Sequence, residues 1–277
     1  MMNDRELLWL AQLFYATSIV LTMCRIRVGG ASEQLHRWNF LTMAIGFVLH
    51  TVFLYLRGMR IGRCPLTNPF EVQAFLAWGV VLFYLLIGPS YRVSFLGAFT
   101  APAVLALCVV PLLAPIDVAH PAPAMRSSWI EFHAATALLS CGAFALAAVM
   151  SVMYLWQERQ LKARRVTQSF LQLPSVEQLD VVALRLIIVG FALFTVGIIG
   201  GLISYRIVHQ FTPLRAGLTT AKIVWAWAVW VAYALVLAAR TIGSVRGRKF
   251  AAMAITVFAF MLVTFWIVNL LPKPLEP

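Results

Sequence analysis

Charge is the first thing this chain is short of. Charged residues make up 12% of its 277 positions, and Asp and Glu together number 10, whereas soluble domains carry roughly 25% charged residues. Carboxylate pairs inside the apolar runs are missing, since Glu71 and Glu131 both lie near the ends of such runs. The buried acids that many proton and ion transporters rely on are therefore not written here. The four cysteines, Cys24, Cys64, Cys108 and Cys141, form no CxxC, which excludes a local redox pair or zinc knuckle. CxxCH is absent too, so the chain is not itself a c-type cytochrome. Gly-rich phosphate loops and nucleophile constellations do not appear. Neither does the apolar–polar alternation of a membrane barrel, nor any soluble linker or low-complexity tract.

What fills the chain instead is hydrophobic residues, 62% of the total. Several apolar runs approach the ~20 residues that a membrane-spanning helix needs. The expected fold is all-α: a polytopic membrane helix bundle of about eight spans, forming a single integral membrane domain over residues 1–277. The spans are expected near residues 7–24, 38–56, 69–88, 93–115, within 129–162, at 181–205 and 220–239, with an eighth that closes near 271. The first apolar run has no small-residue cleavage site behind it, so it reads as a retained span. A net charge of +12 can signal nucleic acid, but here the cations are scattered in short loops. The lipid bilayer explains them more simply, and no nucleic-acid partner is expected.

Two dense basic clusters set the expected orientation: Arg159, Lys162, Arg164 and Arg165 after span five, and Arg240, Arg246, Arg248 and Lys249 after span seven. Placing both on the cytoplasmic side puts both termini outside. Arg57, Arg60 and Arg63 in the second loop run against that rule, which suggests a loop that attracts an anionic ligand. His50, His120, His133 and His209 then fall on the outer side and His36 on the inner.

The stretch Trp129–Lys162, WIEFHAATALLSCGAFALAAVMSVMYLWQERQLK, organises the rest. His133 lies one turn inside it, four residues after Trp129 and so on the same helix face. Ala137, Ser140, Cys141 and Ala145 continue a small-residue stripe. An imidazole near the outer boundary is a functional-site candidate; it equally suits a histidine that hydrogen-bonds a neighbouring helix. Neutral imidazole is a common axial ligand of haem iron, and aromatic residues and arginines suit the porphyrin face and its propionates. His120 and His209 are possible second ligands.

Other signals have structural readings. Asn68, Pro69 and Glu71 write a helix start with a capping box, which gives Glu71 a structural task. Pro102 and Pro111 predict kinks in span four. Gly197 and Gly201 form a GxxxG face extended by Gly190. Trp227, Trp230 and Tyr233 share a stripe that suits packing or a lipid belt. Cys108 and Cys141 suit small packing positions, and Cys64 a free loop thiol.

Four of these stretches together resemble the CcsA-type cytochrome c assembly family over about residues 38–271, and within it the shorter HemX/YpjD-like branch. They are Gly62–Trp78 (GRCPLTNPFEVQAFLAW), Trp129–Lys162 with its W-x-x-x-H start and QERQLK end, Gly190–Tyr205 (GFALFTVGIIGGLISY), and Lys222–Lys249 with Lys222, Trp225, Trp230 and RGRK in the family's spacing. The resemblance implies a membrane protein of cytochrome c biogenesis that handles or delivers haem at the outer face of the plasma (inner) membrane. It implies haem as the cofactor, His133 as its iron ligand, Trp129 stacking, and Lys222, Trp225 and Trp230 lining the pocket. The implied role is transport rather than catalysis, with a cytochrome c assembly membrane protein as partner. Three features depart from the full-length pattern. Of the tryptophan-rich platform ending W-D-P-K only Lys222 remains, the family's membrane histidine after span seven is replaced near Ala238, and the second outer histidine has no counterpart before PKPLEP. The same reduction is found in HemX-like proteins, so an alternative is a membrane regulator or scaffold of tetrapyrrole synthesis. That protein would bind a haem-synthesis enzyme through the loop Gln157–Gln178. A third reading is an unrelated small-molecule transporter, which the lack of paired helix breaks disfavours.

Overall fold

Apolar runs of this length can satisfy their backbone groups in lipid by forming helices. A computed structural model describes residues 4–27, 33–91, 96–113, 128–163, 174–209 and 216–270. It contains α1 (Asp4–Arg27), α2 (Glu33–Ile61), α3 (Pro69–Tyr91), α4 (Leu96–Leu113), α5 (Ser128–Lys162), α6 (Val176–His209), α7 (Ala216–Thr241) and α8 (Arg248–Leu270). Among the described residues, 7 of these helices are long and apolar enough to cross a membrane; the shorter apolar part of α4 runs Phe99–Val109. The expected polytopic helical bundle is thus the observed one. The helices overrun the expected spans, so Arg57 and Arg60 belong to α2 rather than to a loop. Neither Pro102 nor Pro111 ends α4.

α1 to α4 pack together, as do α5 to α8, and α5 joins the two groups by touching α3, α4, α6 and α8. In lipid, helix association depends on close van der Waals approach rather than on hydrophobic exclusion, and glycines supply that approach here. Gly142 of α5 faces Gly79 of α3 so closely that a Cβ on it would lie 3.0 Å from the Gly79 carbonyl carbon. On α6, a Cβ at Gly190 would lie 2.7 Å from a ring carbon of Phe144, and one at Gly197 would lie 3.3 Å from the Ala137 backbone nitrogen. The GxxxG face therefore does what its pattern predicts, and its partner is α5. Next to it, Phe144 stacks on Tyr233 of α7 with ring centroids 3.6 Å apart.

Polar groups fasten the ends. Asn68 Oδ1 accepts from the Glu71 amide at 2.8 Å, as an N-cap should. Glu71 reaches back one residue further than a capping box does: its carboxylate accepts from the Thr67 amide and hydroxyl, each at 2.8 Å. It also pairs with Arg57 at 3.0 Å, the Glu71 side chain being only 2% exposed. The expectation of an anion-attracting arginine loop is corrected on this point, because the charge of Arg57 is already answered from within the chain.

At the opposite end, Asp180 of α6 receives both terminal nitrogens of Arg240 from α7 and the Gly247 amide at 3.1 Å. Arg240 also covers the Phe250 ring of α8 at 4.8 Å. Gly247 has φ +64°, and a Cβ there would sit 2.7 Å from the Tyr154 hydroxyl of α5. This cluster gathers α5, α6, α7 and α8 at the end that carries Lys162 and the RGRK segment.

Candidate functional site

The close approach of α6 to α5 continues past Gly197 to the end of the bundle where His133 lies. A Cβ at Gly201 would lie 2.8 Å from His133 Nδ1, and one at Gly200 would lie 3.2 Å from the Phe132 ring. With no side chain at 201, the imidazole lies close against α6, and its Nδ1 is 2.6 Å from the Gly197 carbonyl oxygen. A carbonyl can only accept, so Nδ1 carries the proton and donates it. Nε2 is then the nitrogen with the lone pair. The two readings of His133 coexist: it hydrogen-bonds a neighbouring helix, and that bond fixes the tautomer that leaves the other nitrogen able to bind a metal.

The ring borders a cavity of about 300 Å³ between α5, α6 and α7, which Ile130, Ile198, Leu202, Ala226, Trp227 and Lys222 help to line. Its depth is graded. Ile198 and Ala226 lie towards the bundle interior. Ser204, Tyr205 and Lys222, which also border it, lie towards the ends of α6 and α7 that the 210–215 segment joins. The volume is at the low end of small-molecule and cofactor pockets, and the mix of apolar walls with a few polar groups is typical of them. No Asp or Glu is among the lining residues.

Of the residues expected at the site, His133 and Lys222 are brought to one cavity; Trp129, Trp225 and Trp230 are not among its lining residues. Trp225 turns to α8, where its indole N–H donates to Thr264 Oγ1 at 2.8 Å. Trp230 lies deeper and donates to Thr195 Oγ1 of α6 at 3.0 Å. Trp129 is half-exposed and meets Phe132 edge-on. The helical turn of about 100° per residue explains this register: Lys222, Ile223, Ala226 and Trp227 share a face of α7, whereas Trp225 points away from it. Trp227, read from the sequence as packing or belt material, is the tryptophan that borders the cavity.

The other histidines separate. His50 is fully buried between Tyr15, whose hydroxyl is 3.3 Å from Nδ1, and Phe53, and it is not part of the His133 cavity. His120, Arg126 and Arg215 lie outside the described residues, as does the 164–173 part of the loop Gln157–Gln178. Cys64, between α2 and α3, is a free thiol. Burial pushes its pKa up, and the carboxylates of Glu131 and Glu71 push it further the same way. Among the described residues no group of three or more His, Cys, Asp or Glu is placed to hold a metal ion. A metal at this site would have to bring most of its own ligands, as the iron of a porphyrin does.

This arrangement defines a class: a polytopic helical membrane protein presenting one tautomer-locked histidine in an apolar cavity near one end of the bundle. The sequence profile of the family described as cytochrome C assembly protein matches residues 66–275, and the chain belongs to that family: it is a membrane protein of cytochrome c biogenesis. Among its relatives, a cytochrome c biogenesis protein CcsA of Prochlorococcus marinus (strain MIT 9301) is 28% identical over 251 residues, covering 81% of this chain and 79% of the relative. A CcsA of Synechococcus sp. (strain CC9902) is 29% identical over 260 residues, covering 83% of each. Another, of Prochlorococcus marinus (strain MIT 9313), is 29% identical over 265 residues, covering 83% of this chain and 80% of the relative. All three are described by cytochrome c biogenesis, which favours that reading over regulation of tetrapyrrole synthesis.

Proposed function

We propose that this protein binds haem in the α5–α6–α7 cavity and delivers it at the outer face of the plasma membrane for attachment to apocytochrome c. The observation that carries the reading is the 2.6 Å bond from His133 Nδ1 to the Gly197 carbonyl, in a cavity bordered by that same ring. It fixes the tautomer in which Nε2 is the nitrogen that can donate to iron, and imidazole is the most common protein ligand of haem. The residues present fit the group: apolar walls for the macrocycle, Trp227 for its face, and the Lys222 cation for an anionic substituent. Trp129, Trp225 and Trp230 serve in a supporting role, Trp225 and Trp230 by fixing α7 against α8 and α6.

Haem is cargo here, and the chain's own residues bind, orient and release it without a turnover step of their own. An apocytochrome and a second assembly protein in the membrane are the expected partners. The basic residues near Asp180 and Gly247, at the end of the bundle remote from His133, support an orientation in which that end is cytoplasmic and the cavity and both termini are outside.

The test is spectroscopic. The purified protein in detergent or nanodiscs, titrated with haem, should develop a Soret band characteristic of imidazole ligation. His133→Ala should lose the band or shift it towards free haem, and added imidazole should restore it. A spectrum and affinity indifferent to His133→Ala would overturn the proposal.

A further inference from the structure

Ser204 is the odd residue in the cavity wall. It lies three residues beyond Gly201, so about one helical turn nearer the end of α6 than the ring of His133. Its residue is 6% exposed, and its hydroxyl oxygen is buried without any hydrogen-bond partner. Serines inside helices usually give their proton to the carbonyl four residues back, and this chain follows that habit at Ser151; Ser204 does not. A buried hydroxyl left unpaired is costly in a mostly apolar wall, and this one borders a cavity. Lys222 borders the same cavity, in the second turn of α7, on the side where α6 and α7 are joined. The lining contains no carboxylate for either group.

We propose that Ser204 and Lys222 form a carboxylate seat at the mouth of the cavity, selecting a ligand that carries an acid group on the edge opposite its buried apolar body. The inference rests on the haem reading and deepens it. One porphyrin propionate would accept a hydrogen bond from Ser204 Oγ and pair with the charge of Lys222, while His133, a turn deeper, would hold the iron. The seat fixes which edge of the macrocycle points outward. It makes Ser204 a specificity-determining residue that no sequence pattern announces. A hydrogen bond to an ionised group is stronger than one between neutral groups, and the seat is shielded from water on the α6 side.

The experiment compares haem with the iron porphyrin whose two propionates are methyl esters, each titrated into protein in nanodiscs. The wild type should bind haem about 10- to 100-fold more tightly than the diester, the range expected for losing a charge-assisted hydrogen bond. Ser204→Ala and Lys222→Gln should each bring the ratio down towards one by weakening haem rather than strengthening the diester. The imidazole-type Soret band should persist in both. Ser204→Ala removes no hydrogen bond, so its melting temperature should not fall, which separates the seat from a structural role. Equal binding of acid and ester by the wild type, or an unchanged ratio in Ser204→Ala, overturns the seat and leaves the haem site standing. Absence of any band dependent on His133 overturns both.

Discussion

Adding one methyl group at Gly201 should loosen the grip on haem without touching the ligand. A Cβ there would fall 2.8 Å from His133 Nδ1 and 2.9 Å from Cε1, well inside the 3.5 Å or so at which carbon contacts become favourable. The ring must move by more than half an ångström, and its bond to the Gly197 carbonyl spans only 2.6 Å. Gly201→Ala should therefore lose that bond, at a net cost of about 1 kcal/mol, with an overpacking cost of about 1–3 kcal/mol. The effect on iron binding is larger, because removing the outer partner of a metal-binding histidine typically costs about 10- to 100-fold in affinity. The assay is haem titration followed by the Soret band, with thermal unfolding in parallel. Gly190→Ala is the control. Its Cβ would meet Phe144 at 2.7 Å, the same kind of packing insult, but neither residue borders the cavity. Both variants should melt earlier, and only Gly201→Ala should show weaker haem binding and an altered band. If Gly201→Ala melts like the control and binds haem like the wild type, the ring's anchorage is irrelevant to its task.

Other perturbations probe separate parts. Trp227→Ala should weaken haem binding by about 1 kcal/mol or more through lost ring contact, whereas Trp225→Phe, which removes a bond to Thr264 outside the cavity, should weaken it less; the reverse order in a titration would contradict the register of α7. Glu71→Gln should destabilise the protein by about 3–5 kcal/mol by breaking its mostly buried pair with Arg57, and an unfolding midpoint equal to wild type would refute this. For Cys64, burial and the nearby Glu131 and Glu71 carboxylates raise the thiol pKa. Raising it lowers the thiolate fraction at neutral pH, so alkylation in a variant keeping only Cys64 should climb at higher pH than for a thiol of ordinary pKa, near 8.5. A rate profile centred at or below that value would contradict the placement of those carboxylates.

Signals that are local in sequence were legible. Asn68, Pro69 and Glu71 announced the start of α3 because a cap involves residues three apart. The spacing of Gly190, Gly197 and Gly201 announced a packing face, and Trp129–Lys162 formed the helix that joins the two groups. Signals that need a second helix were not. Asp180 and Arg240 lie 60 positions apart, and neither stands out before the ends of α6 and α7 meet. Arg57 looked like free loop charge because nothing in its own segment reveals Glu71 coming back to it. The sequence marks His133 and Lys222 in the cavity wall, but it points to Trp225 and Trp230 rather than Trp227, because spacing in a family pattern does not fix which face of α7 turns inward. Ser204 carried no signal at all, since an unpaired hydroxyl is a property of three-dimensional surroundings.

The acceptor that steadies His133 belongs to a neighbouring helix and is main-chain, which ties the imidazole to the axial register of two rods. A slip of α6 along α5 by one residue's rise, about 1.5 Å, would part nitrogen from oxygen and free the ring to turn. Unloading would then need no intruder in the cavity. A tug delivered at the far end of α6, beside Asp180, would travel the length of a stiff helix and reach the carbonyl that anchors the ring.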